Sequence, residues 1–269
     1  MEKKKSFFEK YGLISSVICY LLFFVVFSSF VIIILYYIFA NINGLDASKL
    51  LEMSGIQFQT KEDLDKFYAY GDIYVRNYAL CNGWANFIGY FLSFLGITIS
   101  LFYFLKNDFI SFKNNFLKLS LYTLISAIVF YAIVSVVDVL VGLGVPDSQN
   151  QNTIEIIMQN GGAVPMIITT VILAPIVEEL IYRKVVFEYA KKISIPLAYI
   201  ISIVLFSLPH MLSTDISSVG VGVWLLQLVP YVASAGLLAL IYHKSNYNIY
   251  TTIIIHLLNN FLAVILIFI

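Results

Sequence analysis

The sequence predicts an all-α fold, a polytopic bundle of about seven membrane-spanning helices around a polar intramembrane cavity, and three observations predict it. Of 269 residues, 60% are hydrophobic and only 12% charged, with a mean hydropathy of +0.89, which excludes an ordinary soluble domain. The apolar residues fall into runs of roughly 20 or more, the length that crosses hydrocarbon as a helix. In the second half, ionisable residues interrupt these runs, and a charge at membrane depth is costly enough that it is normally kept for function.

The expected spans lie near 13–40, 84–105, 119–144, 163–190, 194–212, 219–243 and 247–269. The first run is far longer than the apolar core of a signal peptide and has no convincing small-residue cleavage site, so it is expected to stay as an anchor. Between it and the second lies the one sizeable polar piece, 41–83. There Asp46 and Thr60 are placed to cap short helices, and Phe67, Tyr68, Tyr70, Tyr74 and Tyr78 suit a structured loop that skims the lipid interface. Pro146-Asp147 through Asn152 makes a shorter loop on the same side. Lys191-Lys192-Ile193-Ser194, followed by Pro196, and Lys244 to Asn248 mark turns on the other side. No internal repeat or low-complexity linker is present. Residues 1–162, with their extracytoplasmic loop, and residues 163–269 are therefore read as parts of one integrated membrane domain.

Charge sets the expected orientation. With the N-terminus inside, the inner segments hold Lys3, Lys4, Lys5, Lys10, Lys106, Lys113, Lys118, Arg183, Lys184, Lys191, Lys192 and Lys244. The outer ones hold only Lys49, Lys61, Lys66 and Arg76, so a multi-pass cell-membrane protein with its N-terminus in the cytoplasm and its C-terminus outside is expected. No basic block suits nucleic acid. Membrane lipid is the expected surrounding. Cys19, within the first span, and Cys81, just before the second, differ in depth and are read as unpaired.

Three strings carry the chemistry: Glu178-Glu179-Leu180-Ile181-Tyr182-Arg183, Phe206-Ser207-Leu208-Pro209-His210 and His256-Leu257-Leu258-Asn259-Asn260. Counted from the turn at Ser194, Glu178 and His210 lie at matching depth, roughly 20 Å from it at about 1.5 Å per residue. His256 sits about ten residues past the next turn on that side. Three helices can thus converge on one pocket. Side chains three or four residues apart are neighbours, which pairs Glu178 with Tyr182, Glu179 with Arg183 and His256 with Asn260. Adjacent carboxylates cannot both face one way, so one is expected to face the pocket while Arg183 holds the other. Desolvation and a like-charged neighbour would poise the pocket carboxylate as a general base. Pro209 removes a helix hydrogen bond beside His210 and frees a carbonyl there.

In this order and on successive helices, the motifs Glu-Glu-x-x-x-Arg, Phe-x-x-x-His and His-x-x-x-Asn resemble the type II CAAX prenyl endopeptidase and bacteriocin-processing family, Abi or CPBP. The resemblance covers about residues 165–265. It implies a helix bundle around a hydrophilic cavity and peptide-bond hydrolysis near the inner side of the membrane. It further implies that Glu178 activates water together with His210, that Glu179 and Arg183 support the base, and that His256 and Asn260 stabilise the oxyanion. Asn259 beside Asn260 leaves open which amide faces the site. No cofactor is expected. Zinc is the alternative, with Glu178, His210 and His256 as its ligands, since two histidines and a carboxylate make a zinc triad.

Taken singly, each of these residues reads as helix packing or an ion pathway; their conjunction favours an active site. His243 beside Lys244 is assigned no role beyond favouring the helix dipole. Asp138 reads as interfacial, Glu188 as a surface ion pair with Lys184 and Lys192, and Ser234-Ala235-Gly236 as a small-residue helix contact. No His-Glu-x-x-His string, Gly-x-Ser-x-Gly elbow or phosphate loop occurs. The leading expectation is an endopeptidase acting on a membrane-associated peptide or protein. The bias toward Ile, Phe, Tyr, Asn and Lys fits an AT-rich bacterial genome, and within the family it favours pheromone or bacteriocin processing, or self-immunity. The alternatives are a non-catalytic scaffold regulating a sensor kinase or other membrane partner, and a proton-coupled transporter, for which no repeat symmetry speaks.

Overall fold

A computed structural model describes residues 7–269, with side chains from Tyr11 onward. Lys3, Lys4 and Lys5, and the side chain of Lys10, on which the charge reading partly rests, lie outside the described residues. Among the described residues ten helices follow one another: α1 (Tyr11–Asn43), α2 (Ala47–Met53), α3 (Lys61–Tyr68), α4 (Asp72–Asn114), α5 (Phe116–Gly142), α6 (Gln149–Ala190), α7 (Ile195–Met211), α8 (Ile216–Val219), α9 (Val221–Lys244) and α10 (Ile249–Ile267). Six of them, α1, α4, α5, α6, α9 and α10, are long and apolar enough to cross a membrane. The expected span at 194–212 is the shorter apolar helix α7.

The helix ends follow from local chemistry. Ser194 caps α7 by accepting from the Leu197 amide, with Pro196 in the first turn, where a missing N–H costs nothing. Asn248 caps α10 through the Tyr250 amide. The turns at 191–194 and 244–248 and the α4–α5 corner share one end of the bundle, the basic end. Residues 44–71, 143–148 and 212–220 share the other, the loop end, where Gln149 accepts the Phe58 amide and donates to the Ile56 carbonyl.

The polar piece between α1 and α4 is shorter than its expected span of 41–83, because α4 begins at Asp72 and runs for 43 residues. Asp46 and Thr60 cap α2 and α3 as expected, Thr60 in a reciprocal capping box with Asp63. The aromatic residues, however, do not skim lipid as a set. Phe67 and Tyr78 are buried with Tyr36, Leu50, Met53 and Phe58 in a small core of their own, and only Tyr68 is exposed. Short amphipathic helices must bury one face somewhere, and here they fold against α1 and α4 rather than against the bilayer.

The main core joins both halves of the chain. Ile97 and Leu101 of α4 pack with Val177, Leu180 and Val185 of α6, Phe206 of α7, Ala239 and Tyr242 of α9 and Ile253 of α10. Close approach of α4 to α6 depends on glycine. A Cβ on Gly162 would collide with the Ala79 carbonyl, and one on Gly83 would stand 3.0 Å from the Gly162 carbonyl oxygen. Helix α6 is broken near its start, where Asn160 leaves helical geometry and Gly161 takes φ 109°, and it contains wider, π-type turns at Thr169–Leu173 and Leu180–Phe187. Such turns are frequent where a helix carries functional side chains. Cys19 and Cys81 are both free, as expected.

Candidate active site

Glu178 and Glu179 are adjacent on α6, so their side chains diverge by about 100° around the helix. The expected placement, one carboxylate toward the cavity and the other beside Arg183, is present. Glu178 lines a cavity of about 680 Å³ together with Tyr90, Tyr182, His210, His256 and Asn260. Glu179 is fully buried behind it beside Arg183, itself fully buried. The Arg183 Nε lies 3.4 Å from Glu179 Oε2, an ion pair without the alignment of a hydrogen bond. The rest of the guanidinium is held by Nη1 donating to Ser202 Oγ at 3.0 Å, by Nη2 donating to the Ala235 carbonyl at 3.4 Å, and by the Phe206 ring 4.9 Å away. Ala235 is accordingly the small-residue contact expected of Ser234-Ala235-Gly236.

His256 joins the two carboxylates. Its Nδ1 stands 3.2 Å from Glu179 Oε1, and its Nε2 stands 3.8 Å from Glu178 Oε2. A carboxylate only accepts, so Nδ1 carries a proton and donates it to Glu179, which fixes the ring and turns Nε2 toward Glu178 and the cavity. Glu179 and Arg183 thus hold His256 rather than touching Glu178. That is a different support from the one expected, in which they backed the base itself.

His210 is fixed by the backbone that Pro209 disturbs. Leu208–Met211 form a tighter 3₁₀ turn. His210 Nδ1 donates to the Phe206 carbonyl at 2.8 Å, and the ring stacks between Phe206 and Tyr231, with centroids 5.1 and 4.6 Å away. With its proton on Nδ1, neutral His210 keeps Nε2 as an acceptor. Asn260 donates to the Thr170 carbonyl at 2.9 Å, which leaves its second amide proton available, and Asn259 donates to Asn260 Oδ1 at 3.4 Å. Both amides line the cavity, and Asn259 orients Asn260.

Two features escaped the sequence. The Tyr90 hydroxyl of α4 donates to Glu178 Oε1 at 3.2 Å, and Tyr20 of α1 meets Tyr182 hydroxyl to hydroxyl at 3.1 Å. Both tyrosines stand in apolar runs with no motif around them, so only the tertiary fold reveals them. Among the described residues no three His, Cys, Asp or Glu side chains are grouped closely enough to hold a metal ion; Glu178, His210 and His256 share the cavity but do not form such a group.

Other expected pairings are rearranged. Lys184 does not serve Glu188; its ammonium reaches Asp108 of α4 at 2.7 Å. Glu188 instead pairs with Lys191 at 2.9 Å and accepts from Tyr242 at 2.9 Å. The wider turns at Leu180–Phe187 rotate Lys184 away from the face that simple α-helical spacing gives it. His243 bonds Tyr199 at 3.0 Å and stacks on Tyr247, so it ties the ends of α7 and α9 together.

Residues 160–262 match the family model for type II CAAX prenyl endopeptidase Rce1-like proteins. The match bears out the resemblance carried by the three motifs, and it takes in α6 from its break to the end, α7, α8, α9 and most of α10. The matched segment, somewhat over a third of the chain, is thus similar to that family and is set in a helical membrane protein. No curated protein and no solved structure matches the chain. Residues 7–159, including Tyr20 and Tyr90, lie outside the matched segment.

Proposed function

We propose that the protein is an intramembrane endopeptidase that hydrolyses a membrane-associated peptide or protein with water activated by Glu178. One observation carries this reading: Glu178 is buried, lines a cavity of about 680 Å³, and is flanked by a tyrosine hydroxyl on one oxygen and an imidazole held by Glu179 near the other. Glu178 takes a proton from water, and the hydroxide so formed adds to the scissile carbonyl. The free Nε2 of His210 accepts from the same water and aims it. The Asn260 amide and the imidazolium form of His256, stabilised by Glu179, donate to the developing oxyanion, an interaction worth roughly 3 kcal/mol. Glu178 then returns its proton to the leaving amine as the tetrahedral adduct collapses. No step passes through a metal.

The setting proposed is processing of a peptide pheromone or bacteriocin leader, or self-immunity, in the cell membrane, with the basic end in the cytoplasm. The test is cleavage of membrane-anchored reporter peptides by the full chain in lipid, with a parallel assay of function in cells. Loss of both in Glu178→Ala at normal protein levels supports a peptidase. Full cellular function in Glu178→Ala, with no reporter cut by the wild type, replaces it with a scaffold that binds a sensor kinase or other membrane protein.

A further inference from the structure

The cavity does not end at Glu178. It continues to the loop end of the bundle, where Asp138 of α5, Asp147 of the α5–α6 loop and Glu155 of α6 line it, and its described walls contain no Lys or Arg. This one-sidedness extends along the chain: between Lys118 and Arg183 the sequence has five carboxylates, Asp138, Asp147, Glu155, Glu178 and Glu179, and no basic residue. Among the described residues Asp138 and Asp147 are exposed and in no ion pair, while Glu155 accepts from the neutral amide of Gln151 alone. Negative charge that no described residue neutralises therefore lines this end of the cavity, and walls of low dielectric concentrate its field.

An independent feature points to a donor ligand. Gln227 of α9 lines the same cavity and is 3% exposed. Its Nε2 donates to the Pro146 and Asp147 carbonyls at 2.9 and 3.1 Å and to Gln59 Oε1 at 3.1 Å. Three acceptors around that nitrogen fix which end of the amide is which. Its Oε1 is buried with no partner among the described residues, and a buried acceptor left so calls for an N–H or O–H donor.

We infer that the mouth of the cavity, between Asp138, Asp147, Glu155 and Gln227, is a subsite for a cationic segment of the bound peptide, a lysine or arginine side chain or a free amino terminus. Calling that peptide a substrate rests on the peptidase reading; the subsite itself does not. Its place at the loop end also means that the peptide chain runs from Glu178 toward that end, the side opposite the basic turns. Long-range attraction of this kind favours capture of cationic peptides and fades with salt, since exposed charges are screened over about 10 Å at 0.1 M.

The test is binding of a fluorescent amphipathic peptide bearing lysines, and of the same peptide with glutamine in their place, to the full chain in nanodiscs of zwitterionic phosphatidylcholine. Expected is a preference for the lysine peptide of about tenfold at low ionic strength, shrinking as salt approaches ~0.5 M. The combined variant Asp138→Asn, Asp147→Asn, Glu155→Gln should abolish it, and Asp147→Lys should weaken the lysine peptide specifically. Size-exclusion elution and thermal unfolding identical to wild type certify both variants as folded. Equal binding of the two peptides, or a preference that survives the combined variant, overturns the subsite. If reporters are cut in a Glu178-dependent way without charge preference, the subsite fails and the peptidase stands. If charge-selective binding occurs and nothing is cut, the subsite stands and the peptidase fails.

Discussion

The Tyr90 hydroxyl donates to Glu178 Oε1 at 3.2 Å. Glu178 lies in the segment matched by the family model, and Tyr90 lies outside it, on a helix that reached no motif. The N-terminal helices therefore complete the site as well as anchoring it. Tyr90→Phe keeps the ring and removes only the donor. A hydrogen bond to a charged acceptor contributes about 1.5–3 kcal/mol, so kcat on a reporter peptide should fall on the order of tenfold or more, with KM little changed and thermal stability near wild type. Unaltered kcat would detach Tyr90 from the reaction.

Arg183 and Glu179 form a fully buried ion pair. Removing one partner leaves an uncompensated charge and costs about 3–5 kcal/mol, whereas replacing both with apolar residues of similar volume is far less damaging. Arg183→Met and Glu179→Met should each lower the unfolding midpoint in detergent markedly, and the double variant should recover much of the loss. Additive losses in the double variant would show that the two charges are held by other partners.

Glu179 also fixes the proton of His256. Glu179→Gln keeps the shape but removes the negative charge that balances the His256 ring when both its nitrogens carry protons, and loss of an orienting carboxylate in a comparable imidazole dyad costs up to about 10⁴-fold in turnover. The expectation is a drop on the order of 10²-fold or more in kcat, with peptide binding by Glu179→Gln preserved. An unchanged kcat would show that His256 needs no orienting carboxylate.

The contact between α4 and α6 carries the site geometry and is set by Gly162, whose added Cβ would strike the Ala79 carbonyl, whereas Gly142 has open space around it. Forced overpacking costs about 1–3 kcal/mol. Gly162→Ala should lower the thermal midpoint and the turnover together, and Gly142→Ala should leave both unchanged. Equal behaviour of the two variants would contradict this packing.

Lipid as solvent made much of the architecture legible, because a helix that must cross hydrocarbon announces itself by length and apolarity. The placement of Glu178 toward the cavity and of Glu179 beside Arg183 is legible because adjacent helical residues point apart and i, i+4 residues are neighbours. The burial of Phe67 and Tyr78 is not legible, because an aromatic residue beside an interface has the same sequence signature whether it meets lipid or a small core. The partner of Lys184 was missed because wider turns in α6 break the i, i+4 rule, and no local pattern marks them. Tyr90 was missed because its meaning depends on a carboxylate 88 residues away.

The most direct test of the central claim is cleavage of a membrane-anchored reporter by the purified full chain in lipid, comparing wild type with Glu178→Gln and adding a strong zinc chelator to each. The account predicts that wild type cuts at one site with or without chelator, and that Glu178→Gln, folded and still able to bind the peptide, does not cut detectably. Cleavage by Glu178→Gln at the wild-type rate, or wild-type activity that chelator removes and zinc restores, would contradict it.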